Sequence, residues 1–351
     1  MFAEFGFETL TPRTASVVLG LLVGLVFGIL AERSGFCLRR GLVGPAAERP
    51  AALGLWALAL AAAVLGTQGA TATGWIGFAD HRFLSPDLPV LAVLAGGAMF
   101  GAGMVLTRGC ASRLTVLSGT GNLRAVMVLI VFAAVAHAAM KGVLAPLRTA
   151  LASVTLPLGG ALPVLAAAAI VAGALALAWR GRLGPAQVAA GLAIGALVPL
   201  AWVGTGLVLA DDFDPIPMEA LSFTQPAADT LFWAIASTAI APAFGVGLFL
   251  GTLGGAALVA LAAGSFRWQS FSTPRETGRY GLGAVLMGFG GVSAGGCTLG
   301  AGLSGIPTLS VTAALTLAAI AAGAVATDRL LGRAPSAAGR AAAAPATTRQ
   351  A

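Results

Sequence analysis

Apolar residues run along this chain in long unbroken blocks, and the short stretches between the blocks carry nearly all of its charge. An α-helix needs about 20 such residues to cross a bilayer, and a continuous apolar run lacks the alternation of a membrane β-barrel. The pattern predicts nine crossings, centred on 14–31, 51–67, 89–107, 123–144, 160–179, 185–208, 243–263, 280–294 and 308–326. A shorter apolar stretch, Thr230 to Ile240, stops before Pro242 and predicts a partial or re-entrant helix. The expected fold class is an all-α polytopic membrane protein with one transmembrane domain over 1–335. The segment 336–351, rich in alanine with scattered proline and arginine, predicts a disordered tail.

Composition agrees with the pattern. Hydrophobic residues make up 58% and charged residues 9%, with a mean hydropathy of +0.93, whereas a soluble domain carries about 25% charged residues. The net charge of +7 would suggest nucleic acid in a soluble protein. Here the arginines sit in short loops: Arg33, Arg39, Arg40 and Arg49; Arg108, Arg113 and Arg124; Arg180 and Arg182; Arg267, Arg275 and Arg279; Arg329 and Arg333. With alternating spans all five clusters fall on one side, which the positive-inside rule makes cytoplasmic. The N-terminus is then outside and the C-terminus inside, with Lys141 and Arg148 as the exceptions. The first apolar run is followed by Glu32 and Arg33 rather than a small-residue cleavage site, so no removable leader is expected.

Three stretches end in the only three cysteines: "GILAERSGFC" at Cys37, "GAGMVLTRGC" at Cys110 and "GFGGVSAGGC" at Cys297. Each has a glycine nine positions before the thiol. "LSGTGNL" follows the second and "LSGIPTL" the third, and "GLAIGALVPLAWVG" (191–204) resembles "GLVFGILAERSGF" (24–36) in its paired glycines. Spans one to four then correspond to spans six to nine: repeat one over about 14–144, a linker span at 160–179, and repeat two over about 185–330. An odd linker inverts the second copy, and inverted repeats place their site near the midplane at broken helices. Gly295, Gly296, Gly300, Gly302 and Gly305 are too dense for a regular helix interior. They predict a turn at Cys297 and a short helix from Thr298, with the same arrangement after Gly109 and Cys110. Helix N-termini there would present free N–H groups to an anion.

"SGFCLRRGL", "RGCASRLTVLSGTGNLRA" and "GGCTLGAGLSG" resemble the YeeE/YedE family (DUF395-like) of bacterial inner-membrane proteins, over roughly residues 15–330. The resemblance implies an hourglass of nine crossings plus short inward helices, thiosulfate uptake, and a substrate path lined by Cys297 at the outer vestibule, Cys110 at the waist and Cys37 toward the cytoplasm. It also implies a separate TusA/SirA-like sulfur-carrier protein as partner. Gly109, Gly295, Gly296, Thr298, Arg39 and Arg113 are the supporting residues. A neutral thiol is a soft, weak donor, suited to holding the terminal sulfur of thiosulfate loosely enough to release it.

Each residue also has a plainer reading. A buried cysteine is ordinarily a small hydrophobe, the arginines set topology, and Glu32 pairs with Arg33 or Arg39 at a span end. His81 is a solvated loop residue. His137, inside a span, either bonds a neighbouring helix or carries a proton. The six tryptophans are interfacial anchors. The cysteines form no CxxC, so no metal site, zinc or otherwise, is expected; "GTGNL" (119–123) lacks a phosphate-loop lysine, and no catalytic residue or cofactor is expected. The alternatives are a membrane thiol enzyme passing sulfane sulfur to a cytoplasmic carrier, and a transporter of selenium species.

Overall fold

The computed structural model describes residues 11–211 and 214–333, so the expected tail and Asp212 lie outside the described residues. Among these residues the chain forms helices and loops, with only isolated β-bridges. The first group runs α1 Pro12–Ser34, α2 Leu38–Val43, α3 Arg49–Ala72, α4 Val90–Leu106, α5 Ala111–Gly119 and α6 Leu123–Lys141. Helix α7 (Ala145–Ala152) and α8 (Leu165–Arg180) follow. The second group runs α9 Pro185–Val203, α10 Thr224–Ile235, α11 Phe244–Ala262, α12 Pro274–Ser293, a wide π-type helix Thr298–Gly305, and α13 Val311–Arg333.

Among the described residues, eight helical stretches are long and apolar enough to cross a membrane. The predicted fifth span corresponds to α8, which has only 16 residues and is about 24 Å long at 1.5 Å per residue. It packs on α3 and buries only Ala174. Exposed Leu22, Leu65, Ile130, Leu258 and Leu282 give the bundle an apolar outer surface, the arrangement that a lipid solvent favours.

Several boundaries shift from the prediction, and at α10 and α12 polar side chains mask the helix. The partial helix is α10, Thr224–Ile235, not 230–240: Pro226 is tolerated in a first turn, and Gln225 and Asp229 lower the local hydropathy. Helix α12 starts at Pro274 rather than 280, because Thr273 caps it by accepting from Glu276 N at 3.3 Å, ahead of a charged first stretch.

Helix pairing follows an exchange pattern. Helix α1 packs on α11 and α9 on α3; α4 packs on α13 and α12 on α6; α4 and α12 pack on each other. Swapping α1 with α9, α3 with α11, α4 with α12 and α6 with α13 reproduces this set. The glycines nine residues before each cysteine are crossing points in it. A Cβ on Gly28 would collide with the Thr252 carbonyl, one on Gly101 with that of Ile320, and one on Gly288 would lie 2.7 Å from that of Phe132. Small residues let membrane helices approach this closely.

The loops that the charge pattern groups together also meet. Arg124 donates to the Ser270 carbonyl at 2.6 Å and pairs with Glu276 at 2.8 Å. Toward the other end, Leu88 pairs with Leu156, Leu162 N donates to Leu309 O at 2.7 Å, and Ser310 donates to the Phe83 carbonyl at 2.6 Å. Trp75, Trp179 and Trp268 are exposed, as anchors should be, but Trp56 and Trp202 are 4% and 2% exposed. Those two are core residues: the Trp56 ring covers Gly302 of the π-type helix, and Trp202 packs edge-on against Phe78 at 5.1 Å.

Each cysteine is reached through the same backbone device. Gly35, Arg108 and Gly295, two residues before Cys37, Cys110 and Cys297, have φ of +65°, +59° and +78°. A left-handed residue ends the preceding helix, and the cysteine then stands as N-cap of the next. A Cβ on Gly295 would meet nothing within 4 Å, so any cost of adding one is the backbone's alone. Gly295→Ala is therefore expected to lower stability by about 1–2 kcal/mol, read as thermal unfolding in detergent. An unchanged midpoint would show that the turn is not held in this conformation.

Candidate functional site

Cys37, Cys110 and Cys297 are 7%, 1% and 0% exposed and belong to one continuous apolar core. All three are free thiols. The Cys37 and Cys110 thiols are near neighbours, close enough to influence one another. Cys110 Sγ is 3.3 Å from Ser112 Oγ. Thr298, which follows Cys297, also lies beside the Cys110 thiol, and its own buried hydroxyl has no aligned hydrogen-bond partner. Cys110 and Thr298 each stand at the start of a helix, so the first turns of α5 and the π-type helix meet at one place. In the same core, Phe27 contacts Phe36, the chain neighbour of Cys37, and Phe223 with ring centroids 6.3 and 5.5 Å apart.

The cap geometry is clearest at Cys297, whose sulfur accepts from Gly300 N at 3.4 Å. The Cys37 and Cys110 sulfurs face the corresponding N–H groups, those of Arg40 and Arg113, without completing a cap bond. N-caps are ordinarily Ser, Thr, Asp or Asn. A cysteine caps less well, so capping alone does not account for three of them. The short helix after Cys37, α2, was not anticipated, because six residues with two arginines carry little apolar signal.

The supporting residues divide into those drawn to this core and those held elsewhere. Gly109 accepts from Thr107 Oγ1 at 3.0 Å, and a Cβ on Gly296 would sit 2.9 Å from Ala301 N; both lie within the two cysteine turns. Arg113 Nη1 pairs with Glu32 at 3.1 Å and donates to the Ala31 carbonyl at 3.4 Å. Glu32 therefore bridges α1 to α5, rather than pairing with Arg33 or Arg39, because the Cys110 turn places Arg113 against α1. Arg39 lies on α2, its Nε buried without a partner.

On the side where Cys297 lies, a cavity of about 310 Å³ opens, lined by Asp80, His81, Arg82, Glu219, Ser222 and Gly300, among others. A Cβ on Gly300 would lie 2.9 Å from Ser222 Oγ and 3.8 Å from Cys297 Sγ, so the thiol sits just behind the cavity floor. His81 is not a solvated loop residue. Its ring packs against Phe78, Phe83 and Trp202 at 6.0, 5.0 and 5.2 Å, its Nδ1 accepts from Phe83 N at 3.3 Å, and burial lowers its pKa to about 4. His137 stacks on Phe232 at 4.2 Å. Sequence reading missed Arg82, Glu219 and Ser222 as site residues: they lie on loops distant in sequence from one another, with no spacing to link them.

Three comparisons bear on what this arrangement does. A thiosulfate transporter TsuA from Spirochaeta thermophila is 26% identical over 335 residues, covering 84% of this chain and 92% of the relative. A thiosulfate transporter TsuA from Escherichia coli K12 is 41% identical over 86 residues, 24% of each protein. The model of the family described as "Sulphur transport" matches residues 33–326. That span includes all three cysteines and the helices from α2 into α13, and the chain belongs to the sulphur transport family.

Proposed function

We propose that this protein takes up thiosulfate across the bacterial inner membrane, carrying the ion intact past Cys297, Cys110 and Cys37 in that order. The observation that carries the reading is the meeting of two cysteine-led helix starts at one buried place, with the third thiol in contact with it. Helix N-termini favour an anion, and neutral thiols offer the terminal sulfur a soft surface that it can leave again. Phe27, Phe36 and Phe223 close this waist, and they part as the ion passes.

The exchange of helix pairs supports an inverted repeat, 14–144 against 185–330, within one domain. Loops carrying the arginine clusters face the cytoplasm, with the N-terminus outside and the C-terminus inside. The protein acts as a transporter and not as an enzyme, and a separate sulfur-carrier protein receives the cargo inside.

Thiosulfate labelled separately on its two sulfurs, offered to proteoliposomes, tests the reading. Both labels are expected inside in equal amounts, still bonded. Release of labelled sulfite outside, with the sulfane label left on the protein, would instead make this chain a sulfur-transfer enzyme. Preference for selenite in competition would reassign the cargo.

A further inference from the structure

Arg82 and Glu219 both line the cavity in front of Cys297, yet neither is among the ion pairs within 4.0 Å found for the described residues. The Arg82 guanidinium carbon stands 5.0 Å over the Phe83 ring. The short turn that carries it, Arg82–Leu84, is tied to the start of α13 by the Ser310 hydrogen bond to Phe83 O. Arg82 is within electrostatic reach of both Glu219 and Cys297. His81 beside it is neutral, since its pKa is about 4. Arg82 is therefore the cation that an incoming anion meets here, and Glu219 is the carboxylate competing for it.

We propose that Arg82 and Glu219 form an outer capture site for the tetrahedral oxyanion end of the substrate, which the ion enters when Glu219 is protonated. The proposal rests on thiosulfate uptake as the function and adds the residues that admit the anion. A charged carboxylate here repels a dianion and attracts the guanidinium; a protonated one does neither and leaves the Arg82 N–H donors to the oxyanion.

The surroundings of Glu219 bear on its charge from every side. Arg82, His81 and Asp80 face it from the 78–84 loop, and Asp229 from α10. Across an adjoining cavity of about 300 Å³ stand His137 and Lys141 of α6. Burial first, then the Asp229 charge, raise the Glu219 pKa to about 7, against the lowering effect of Arg82. The pKa is raised, so the protonated form holds below about pH 7 and is lost above it. Thiosulfate is a dianion throughout this range, so any pH dependence there belongs to the protein.

The experiment has two arms on the purified full chain: calorimetric binding of thiosulfate and of sulfate, and initial uptake rates in proteoliposomes against external pH. Wild type is expected to bind thiosulfate about tenfold more tightly at pH 6 than at pH 8, following the protonated fraction of a group titrating near 7. Arg82→Gln is expected to weaken binding of both anions and raise the uptake KM by about tenfold or more, with Arg82→Lys recovering part of it. Glu219→Gln, neutral at every pH, is expected to flatten the pH profile and to bind thiosulfate about tenfold more tightly than wild type at pH 8, while His137→Gln keeps the profile. Wild-type affinity in Arg82→Gln, or a wild-type pH profile in Glu219→Gln, overturns the proposal. Binding that depends on Arg82 without any flux of thiosulfate would sustain the capture site and defeat the transport reading instead.

Discussion

Cys110→Ala is expected to abolish thiosulfate uptake while leaving the protein folded in the membrane. Cys110 is the thiol that the other two cysteine turns approach: both Cys37 and Thr298 lie near its sulfur. On the proposed path, removing it takes away the soft contact at the waist and leaves the two helix starts facing an apolar methyl. A loss of about a hundredfold in initial rate corresponds to roughly 2.7 kcal/mol of transition-state stabilisation. The fold tolerates the change because the Cys110 sulfur makes no completed cap bond, so less than the roughly 1 kcal/mol of an ordinary cap is at stake. Cys110→Ser is the sharper control. A hydroxyl caps the helix better than a thiol, so Cys110→Ser is expected to be at least as stable as wild type and still transport poorly. Wild-type uptake in Cys110→Ala would remove the thiol from the mechanism.

The second large effect concerns assembly of the bundle. Gly20, Gly24 and Gly28 of α1 face Gly247, Gly251 and Gly255 of α11, and a Cβ at any of the six would strike a backbone carbonyl of the partner helix. The backbones touch along this seam, so no side chain can rotate out of the way. Overpacking of an ordinary core costs about 1–3 kcal/mol. Gly24→Leu is expected to exceed that range and to give aggregated or poorly inserted protein in size-exclusion chromatography. Gly254→Ala, on the partner helix α11 but where a Cβ meets nothing within 4 Å, is expected to behave as wild type. A monodisperse Gly24→Leu protein with an unchanged melting midpoint would contradict the seam.

Much of the fold was legible because membrane burial writes itself into long apolar runs. Among the boundaries that slipped, those at α10 and α12 lie where polar side chains belong to a helix: Gln225 and Asp229 in one, Arg275, Glu276 and Arg279 in the other. A hydropathy average reads such residues as loop, while the backbone hydrogen bonds continue through them.

The cysteine turns were legible for a local reason. A run such as Gly295-Gly296 before Cys297 announces a left-handed residue, and the helix after it follows. At Cys110 the left-handed residue is Arg108, which composition does not reveal, and there the likeness to the other two motifs carried the prediction. The glycine nine residues before each thiol was read as a mark of the repeat, and in the fold it sits at a helix crossing. Arg82 and Glu219 were out of reach of sequence reading altogether. Their proximity is produced by packing of the 78–84 loop against the 218–222 segment, through contacts such as His81 with Met218 and Trp202.

A structure determined with thiosulfate bound tests the central claim most directly. The ion is predicted between Cys297 and Cys110, its terminal sulfur against the thiols and its oxygens on the N–H groups that open α5 and the Thr298–Gly305 helix. Thiosulfate held only in lipid-facing or surface sites, with the three thiols still buried and out of contact with the ion, would contradict it.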